Sequence, residues 1–349
     1  MDDCKQVADE ATCKIASIRP RQLTAVRIGE PREGRRPVPI EIEAYEAEDF
    51  ATAIPGLDVE YVRTDGGNTP CRMTVAESDH AALSIGSMGF SATSRSEIPS
   101  DVGVFALITS APFGGRYCGV DLSAGQLFFY APATSFVGIE TVGLEASFLT
   151  LPTMSLDRIT EGLHDTVMPR SVNPLAPGHA LELLTSLLMS AGAQPRQTLD
   201  SRRGEHLLEA AAGVLAVDAT SATSATSARS AVRRRLGSRT IVRSSIDYVE
   251  TTQTTLPTMG ELCRAAGTSE SRLRQAFIDV LEMPPTKYFQ HRLLSRLRQE
   301  LLLADPAESS VTRIAGSLGI TELGRTAGRY KKVFGELPKT TLGRHFPHH

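Results

Sequence analysis

Two short segments near the carboxyl end of the chain carry side chains that can hydrogen-bond to nucleic-acid bases. The first has Ser271, Arg272, Arg274 and Gln275 close together. Arginine can bond guanine through two N–H groups, and glutamine can bond adenine through its amide, each pair giving about 1–3 kcal/mol of discrimination. An arginine that bonds only phosphate positions a protein without reading sequence, and the residues alone leave both roles open.

A helix is the element that would place these side chains on one face. Leu273, Phe277, Val280 and Leu281 recur at helical spacing, which predicts a buried face opposite the polar one. Ser269 comes just before this pattern, and its hydroxyl can accept an unpaired N–H of the first turn. We therefore expect a helix that is capped by Ser269 and exposes the polar side chains.

The second segment, residues 321–334, repeats this pattern with fewer polar side chains. Its predicted buried face holds Leu323, Thr326, Tyr330, Val333 and Phe334. Its predicted outward face and flanks hold Thr321, Gly324, Arg325, Gly328, Lys331 and Lys332. Thr321 is the expected N-cap, and Arg325 is the best candidate for a base contact. Each exposed glycine costs about 1 kcal/mol relative to alanine, so either the backbone approaches DNA closely or this helix is weakly formed.

Both segments belong to a degenerate repeat. Residues 258–285 align with residues 310–338, and each copy predicts a short helix, a glycine-marked turn and a longer basic helix. That is the layout of a helix-turn-helix, whose second helix can enter the DNA major groove. Two copies predict that the chain reads two successive segments of duplex DNA, about one helical turn (~34 Å) apart.

Residues 239–345 resemble the DNA-binding domain of the AraC/XylS family of bacterial transcription regulators. The resemblance is carried by residues 323–342 (LGRTAGRYKKVFGELPKTTL) and by residues 284–302 (PPTKYFQHRLLSRLRQELL), which correspond to the family signature and to the helix joining the motifs. The chain departs from the family at Thr326, where phenylalanine is usual. The resemblance implies a transcription regulator, more often an activator than a repressor, with RNA polymerase as the partner of an activator.

The charge distribution supports a nucleic-acid partner for the same part of the chain. Residues 240–349 hold 15 Lys and Arg against 11 Asp and Glu, a net charge of +4, whereas the preceding 239 residues carry a net charge of −7. A basic domain joined to an acidic remainder is typical of a DNA-binding domain with a second, different domain.

Residues 41–155 predict a β-rich domain. Short apolar or alternating runs are separated by Gly, Pro, Asp and Ser, which indicates a sandwich or barrel. The runs lie at residues 59–62, 81–85, 102–108, 126–130 and 146–151. The order of elements resembles the cupin-like effector domain that precedes the DNA-binding part in the AraC/XylS family, which implies a small-molecule effector of unknown identity.

Four side chains are candidates for effector binding. Phe105, Phe128 and Tyr130 alternate with other residues along the predicted strands and either line a pocket or form the core. Arg116 lies in a predicted turn, where it could meet a carboxylate or remain solvated.

Helices are expected over residues 174–217. Leu181, Leu184, Leu187 and Leu188 fall largely on one helical face. The family resemblance implies that helices here pair two subunits into a homodimer, and the alternative is that they only cap the β-domain.

Three segments are expected to lie outside the folded domains. Residues 1–40 predict a polar lead-in, and residues 343–349 a tail. Residues 218–238, which include DATSATSATSARSA, predict a flexible linker, because small side chains bury too little apolar surface to offset chain ordering.

The sequence argues against an enzyme. Residues 41–155 contain only His80 and no His-x-His pair, so a metal-dependent cupin is not expected, nor is a cofactor. The chain lacks a nucleophile elbow, a phosphate loop and a dinucleotide fingerprint. The five cysteines show no metal-finger spacing and are expected to be reduced. With no long apolar run, we expect a cytoplasmic protein without membrane contact.

The sequence thus predicts an α+β multidomain chain. A cupin-like β-barrel or sandwich with helices, residues 41–217, precedes an all-α domain of two helix-turn-helix motifs, residues 239–345, joined by a long helix. The predicted function is sequence-specific DNA binding in transcription regulation. The alternative is an effector-independent dimeric regulator, or a scaffold whose N-terminal domain only makes protein contacts.

Overall fold

The structure is a computed structural model. It describes residues 39–160, 173–174, 179–192, 199, 201–221, 228–252 and 256–344, apart from 52, 53, 68, 79 and 80. The polar lead-in, Cys4, Cys13 and most of the C-terminal tail lie outside these residues.

Twelve strands and eleven helices are assigned within the described residues. The strands are β1 Ile40–Ala44, β2 Asp58–Arg63, β3 Cys71–Glu77, β4 Ala82–Ser87, β5 Ala92–Glu97, β6 Val102–Ser110, β7 Gly115–Tyr117, β8 Val120–Asp121, β9 Leu127–Tyr130, β10 Ser135–Glu140, β11 Glu145–Pro152 and β12 Asn173–Pro174. The helices are α1 Ala47–Ala51, α2 Thr153–Thr160, α3 His179–Gly192, α4 Ser201–Ser221, α5 Ala228–Thr252, α6 Met259–Ala265, α7 Glu270–Leu281, α8 Pro285–Leu303, α9 Val311–Ser317, α10 Leu323–Phe334 and α11 Pro338–Leu342.

The N-terminal part is built from two antiparallel sheets. One has the strand order β1-β3-β4-β11-β6-β9-β12 and the other β2-β5-β10-β7-β8. Side chains that alternate along the strands fill the space between the sheets, including Val104, Phe128, Tyr130, Phe136 and Phe148. Because successive side chains of a strand point to opposite faces, the intervening residues are available to pack on something else.

Helices cover the outer face of the seven-stranded sheet. Phe105 of β6 and Phe129 of β9 point to this side, with ring centroids 4.8 Å apart. Leucines and alanines of α3 and α4 pack over them and form a second apolar core. Both faces of the long central strand β6 are therefore buried, which explains its nearly continuous apolar sequence.

The C-terminal part is helical and contains two small cores that share helix α8. The core around α5, α6 and α7 includes Phe277, Tyr288 and Phe289. The core around α9, α10 and α11 includes Leu297 and Tyr330. The first half of helix α8 packs in one core and its second half packs in the other. Helix α8 is therefore common to both cores.

The expected α+β organisation is confirmed, with a sheet-rich N-terminal region and a helical C-terminal region. All five predicted runs lie on strands, namely β2, β4, β6, β9 and β11. Strands β1, β3, β5 and β10 were not predicted, because runs such as ATSRSE in β5 are polar in sequence and become buried only between neighbouring strands.

Helices cover much of residues 218–238, the segment that was expected to be a flexible linker. Helix α4 continues to Ser221 and α5 begins at Ala228, which leaves residues 222–227 outside the described part. The physical reason is composition, because residues 228–236, ARSAVRRRL, contain four arginines and two alanines, which have high helix propensities.

The five-stranded sheet faces the helical region through ion pairs. Arg95 of β5 bonds Asp247 of α5 at 2.8 Å and also contacts Glu250. Arg292 of α8 bonds Glu60 of β2 at 2.9 Å and Glu250 at 3.1 Å. Val137 of β10 packs into the core of α5, α6 and α7. The two regions thus share a contact made of charged groups with one apolar side chain among them.

Candidate nucleic-acid interface

The first helix-turn-helix is closed by side-chain caps at both helix starts. Thr258 and Glu261 form a capping box at α6, with Thr258 N donating to Glu261 Oε2 at 2.7 Å. Ser269 caps α7 by accepting the Arg272 N–H, as predicted. Gly267 has a φ of +59° in the turn between the helices, where a side chain would be strained.

Helix α7 has one buried face and one exposed face, as its pattern predicts. Leu273, Phe277, Val280 and Leu281 are all buried. Phe277 meets the rings of Tyr288 and Phe289 at centroid distances of 5.8 and 6.0 Å. Aromatic contact with α8 fixes the direction in which the opposite face of α7 points.

The candidate base-reading side chains differ in their accessibility. Ser271, Arg274 and Gln275 are exposed, whereas Arg272 is half-buried. A Cβ built on Gly237 of α5 would lie 3.6 Å from Arg272 Nη2, so this side chain lies over α5. Of the four, the structure brings three together on the free surface of α7.

Two of these exposed side chains are engaged within their own helix. Arg274 Nη2 bonds Glu270 Oε1 at 2.6 Å, and Gln275 Nε2 donates to Asp279 Oδ1 at 2.7 Å. Exposed pairs at this spacing contribute only about 0.3–0.5 kcal/mol. A base or a phosphate can therefore replace the intrahelical partner at small cost.

The second helix-turn-helix has a capped first helix and an uncapped second helix. Ser310 caps α9, and Gly319 has a φ of +73° in the turn. The expected N-cap at Thr321 is wrong: α10 begins at Leu323, and the cap position is Glu322, which makes no side-chain bond to the helix. The reason is geometric, because Thr321 lies one residue too far from the first turn to accept its N–H groups.

The faces of α10 follow the prediction. Tyr330, Val333 and Phe334 are buried, and Leu323 and Thr326 are half-buried. The exposed set comprises Thr321, Gly324, Arg325, Gly328, Lys331 and Lys332. Arg325 pairs with Glu322 at 3.1 Å, and both side chains are exposed. A Cβ built on Gly324 or Gly328 would have no atom within 4 Å, so the fold itself does not require glycine there.

Several exposed arginines near these faces were not predicted from the sequence. Arg329 is exposed on α10, one turn after Arg325, and Arg264 and Arg313 are exposed on α6 and α9. The four-residue spacing of Arg325 and Arg329 is the signal that would have found the first of them. Their positions add positive charge around both candidate helices.

The C-terminal ends of α7 and α10 meet the N-terminal region. Arg116 of β7 bonds the Asp279 carbonyl at 3.3 Å and Glu282 at 3.1 Å. The backbone of Lys332 lies so close to Gly66 that a Cβ there would come within 2.8 Å of the Lys332 carbonyl oxygen. The N-terminal halves of both helices lie at the far ends from these contacts, and recognition helices meet bases through that half.

The proposed effector residues do not form one site. Phe128 and Tyr130 lie between the two sheets, but Phe105 points to the other side of its sheet and packs under α3 and α4. Its position in the strand is the reason, since neighbours Val104 and Ala106 take the inner face. Arg116 also points away from the interior, toward the end of α7.

A buried polar cluster between the sheets was not found from the sequence. Glu140 of β10 accepts a hydrogen bond from Ser94 Oγ at 2.8 Å and further bonds from Tyr61 and Tyr117. Burial raises the pKa of Glu140 to about 7, against the effect of these donors. The Tyr130 hydroxyl is among the buried side-chain atoms that lack a hydrogen-bond partner in the described residues.

The leucines proposed for dimerisation are mostly internal. Leu184 and Leu188 are 0% exposed and pack with α4 against the seven-stranded sheet, and Leu187 is partly buried against the same core. The side chain of Leu181 lies outside the described residues. The dimerisation assignment is therefore wrong for Leu184 and Leu188, because the sheet already covers the face they share, and the capping alternative describes them.

The described residues contain no group of three or more His, Cys, Asp or Glu side chains that could hold a metal ion. Within the same part of the chain, no helix is both long and apolar enough to cross a bilayer.

Comparison with known proteins identifies the C-terminal domain. Residues 262–344 match the family described as "Helix-turn-helix domain". The "Probable thc operon regulatory protein" of Rhodococcus erythropolis is 35% identical over 102 residues, which are 29% of this chain and 31% of that protein. The chain thus matches less than a third of that relative's length.

Two solved structures are similar at low identity. The AraC-like transcriptional activator CuxR is 15% identical, with 75% of this chain and 96% of that chain covered and a TM-score of 0.38. ToxT from Vibrio cholerae is 9% identical, with 84% and 100% covered and a TM-score of 0.28. The two motifs and the family match together show that residues 262–344 form a helix-turn-helix domain.

Proposed function

We propose that this protein is a sequence-specific DNA-binding transcription regulator whose helices α7 and α10 enter two successive major-groove segments. The observation that carries the proposal is the placement of these two helices on one shared helix, α8. Both expose donors near their N-terminal ends and have buried contacts near their C-terminal ends. The match to a helix-turn-helix family and the similarity to a regulatory protein support this proposal.

In this proposal the first motif reads most of the sequence. Ser271, Arg274 and Gln275 face solvent on α7, and Arg272 reaches bases or phosphate only after leaving its position over α5. Arginine and glutamine make the two-point base contacts that discriminate best.

In this proposal the second motif mainly contacts the phosphate backbone of DNA. Thr321, Gly324 and Gly328 present little beyond backbone and a hydroxyl, and Arg325 and Lys332 supply charge. The Arg325 side chain is 75% exposed and is the best placed to reach a base. Phosphate contacts by the others would fix the register of the domain on the duplex.

We propose domain limits that agree with this division of roles. We take residues 41–217 as the sensing or dimerising domain and residues 239–345 as the DNA-binding domain, which includes the part of α5 that packs with α7. A homodimer, RNA polymerase contact by an activator and a place in the cytoplasm rest on the family resemblance.

An effector in the N-terminal domain is favoured by one observation. The Tyr130 hydroxyl, which has no hydrogen-bond partner among the residues that the structure describes, lies close to the buried Glu140 cluster. Since buried polar groups are nearly always hydrogen-bonded, a polar group of a small molecule would complete this set. An effector-independent regulator or scaffold predicts instead that no small molecule changes DNA binding.

Selection of bound duplexes from a random pool by the full-length protein tests the proposal. We expect an enriched motif of two short blocks about one helical turn apart, with affinity that falls steeply as salt rises. A single block would remove the base-reading role of the second motif. Absence of enrichment would contradict the proposed function.

Matched arginine variants test the division of roles. We expect Arg274→Ala to relax preference at one block by about 1–3 kcal/mol, and Arg325→Ala to weaken all duplexes with less change in preference. Selection profiles of both variants provide the measurement. Equal loss of specificity in the two variants contradicts the assignment of reading to the first motif.

A further inference from the structure

A buried arginine of α8 connects the second motif to the N-terminal region. Arg298 is 4% exposed. Its guanidinium donates to both carboxylate oxygens of Glu46, with Nη2 2.6 Å from Oε1. The same guanidinium donates to Glu336 Oε1 at 2.9 Å and lies 4.8 Å from the ring centre of Phe334. Arg298 therefore bonds two carboxylates that come from opposite ends of the chain.

The side chains around Glu336 belong to the last two helices of the second motif. Thr341 of α11 donates to Glu336 Oε1 at 2.9 Å, and its Oγ1 lies 2.8 Å from the Tyr330 hydroxyl of α10. Arg344 pairs with the other oxygen of Glu336 at 2.8 Å. This network fixes the C-terminal end of α10 against α8 and α11.

A second buried arginine, Arg63, lies close to Arg298, and the carboxylate of Glu46 offsets the positive charge of both. Arg63 of β2 is 5% exposed, with its guanidinium 4.5 Å from the ring centre of Phe90 and 5.9 Å from that of Phe334. Burial lowers the pKa of Arg63, and repulsion from Arg298 lowers it further, whereas Glu46 acts in the opposite direction. Without Glu46, Arg298 would keep one carboxylate partner, Glu336, which also pairs with Arg344.

Glu46 belongs to the N-terminal region and directly precedes α1. Its side chain is 16% exposed. Helix α1 is anchored in the core between the sheets, where Phe50 meets Tyr61 at a centroid distance of 5.7 Å. The N-terminal region therefore fixes the position of the Glu46 carboxylate, and this carboxylate pairs with Arg298 of the C-terminal region.

The N-terminal part of α10 has little local support. That helix lacks a side-chain N-cap, and Gly324 and Gly328 are both exposed within it. Each glycine disfavours the helix, so its order depends on the buried contacts at its C-terminal end.

We propose that Glu46 is a positioning residue for the second helix-turn-helix, holding α10 and α11 in their DNA-binding arrangement through Arg298. The proposal rests on the proposed function in one respect, that α10 contacts DNA. Its structural part, that a residue of the N-terminal region orders the second motif and not the first, is independent of DNA.

Hydrogen exchange of the full-length protein without DNA tests this part. In Glu46→Gln we expect amide exchange in α10 and α11 to rise about 100-fold, because a buried charge pair has lost one partner, with α6 and α7 unchanged. Glu46→Asp keeps the charge and should restore most of the protection. Glu43→Gln is the matched control, since Glu43 lies three residues away and pairs with the exposed Arg72 within the N-terminal region.

Three results would overturn the proposal. They are unchanged exchange in α10 and α11, equal loss of protection in α7 and α10, and loss throughout the chain. A loss in Glu46→Asp as large as in Glu46→Gln would overturn the role of the charge. Since no DNA is present, failure to find an enriched duplex would sink the proposed function and leave this test intact.

Discussion

The two helix-turn-helix motifs share a layout and differ in what stabilises them. In the first, a capping box, the Ser269 cap and the aromatic contacts of Phe277 hold α6 and α7. In the second, α10 starts without a cap, and buried charges around Arg298 hold its end. Caps and apolar packing are local to a motif, whereas the Arg298 network needs a carboxylate from the N-terminal region.

The difference teaches how one domain can treat two similar motifs unequally. The first motif meets the N-terminal region mainly through groups at its surface, such as Arg116 at the end of α7. The second receives a bond into its interior. A change at Glu46 can therefore reach the buried ion pairs inside the second motif, whereas the first motif receives from the N-terminal region the apolar side chain of Val137.

The largest expected effect is that of Arg298→Met. The substitution leaves the carboxylates of Glu46 and Glu336 without their shared partner, which should lower the free energy of unfolding of the second motif by about 3–5 kcal/mol. Arg296→Met is the control on the same helix, because Arg296 is exposed and should change stability by less than about 0.5 kcal/mol. Urea denaturation with hydrogen exchange measures both. Similar losses in the two variants would contradict the contrast between the motifs.

We expect stability to depend on pH through Glu140 of β10, the strand whose Val137 packs against the first motif. Burial raises the pKa of Glu140 to about 7 from its usual 4.5, so the folded state keeps a proton that the unfolded state releases between these values. Ionisation of Glu140 therefore leaves the free energy of unfolding unchanged below pH 4.5. Between pH 4.5 and 7 it lowers the free energy of unfolding by about 3 kcal/mol in all. Glu140→Gln should lack this loss.

Urea denaturation at pH 5 and pH 8 checks that expectation. The stability of Glu140→Gln relative to the natural chain should increase between the two values of pH. A constant difference would mean that Glu140 ionises in the folded protein as readily as in the unfolded one.

The smallest expected effects are at the glycines of α10. Gly324→Ala and Gly328→Ala should each stabilise the second motif by about 1 kcal/mol, because neither glycine has a positive φ and an added Cβ meets no atom. Gly319→Ala is the opposite control, since its φ is +73° and alanine there is strained. Thermal unfolding measures all three.

DNA binding by the same variants separates the two explanations for these glycines. Stronger binding by Gly324→Ala and Gly328→Ala would indicate that the natural helix is weakly formed. Weaker binding, together with higher stability, would indicate that the backbone approaches DNA closely at these positions.

The sequence predicted what depends on local pattern. Helical spacing located the buried faces of α7 and α10, and the serine at position 269 identified its cap. The sequence did not predict features that depend on contacts between distant segments of the chain. The polar strand β5 and the cluster around Glu140 become visible only when neighbouring strands meet.

The same limit explains the errors at single residues. Leu184 and Phe105 fit a helical or strand pattern equally well on a dimer surface, in a pocket or in a core, and only the packed sheet decides among these. Glu46 and Arg298 are 252 residues apart in sequence, and no local pattern relates them.

Hydroxyl-radical footprinting on the selected duplex, with the natural chain and Glu46→Gln, tests the unequal dependence of the two motifs most directly. We predict that the natural chain protects two blocks about one helical turn apart and that Glu46→Gln loses protection only over the block contacted by α10. Equal loss over both blocks, or protection identical to that of the natural chain, would contradict the account.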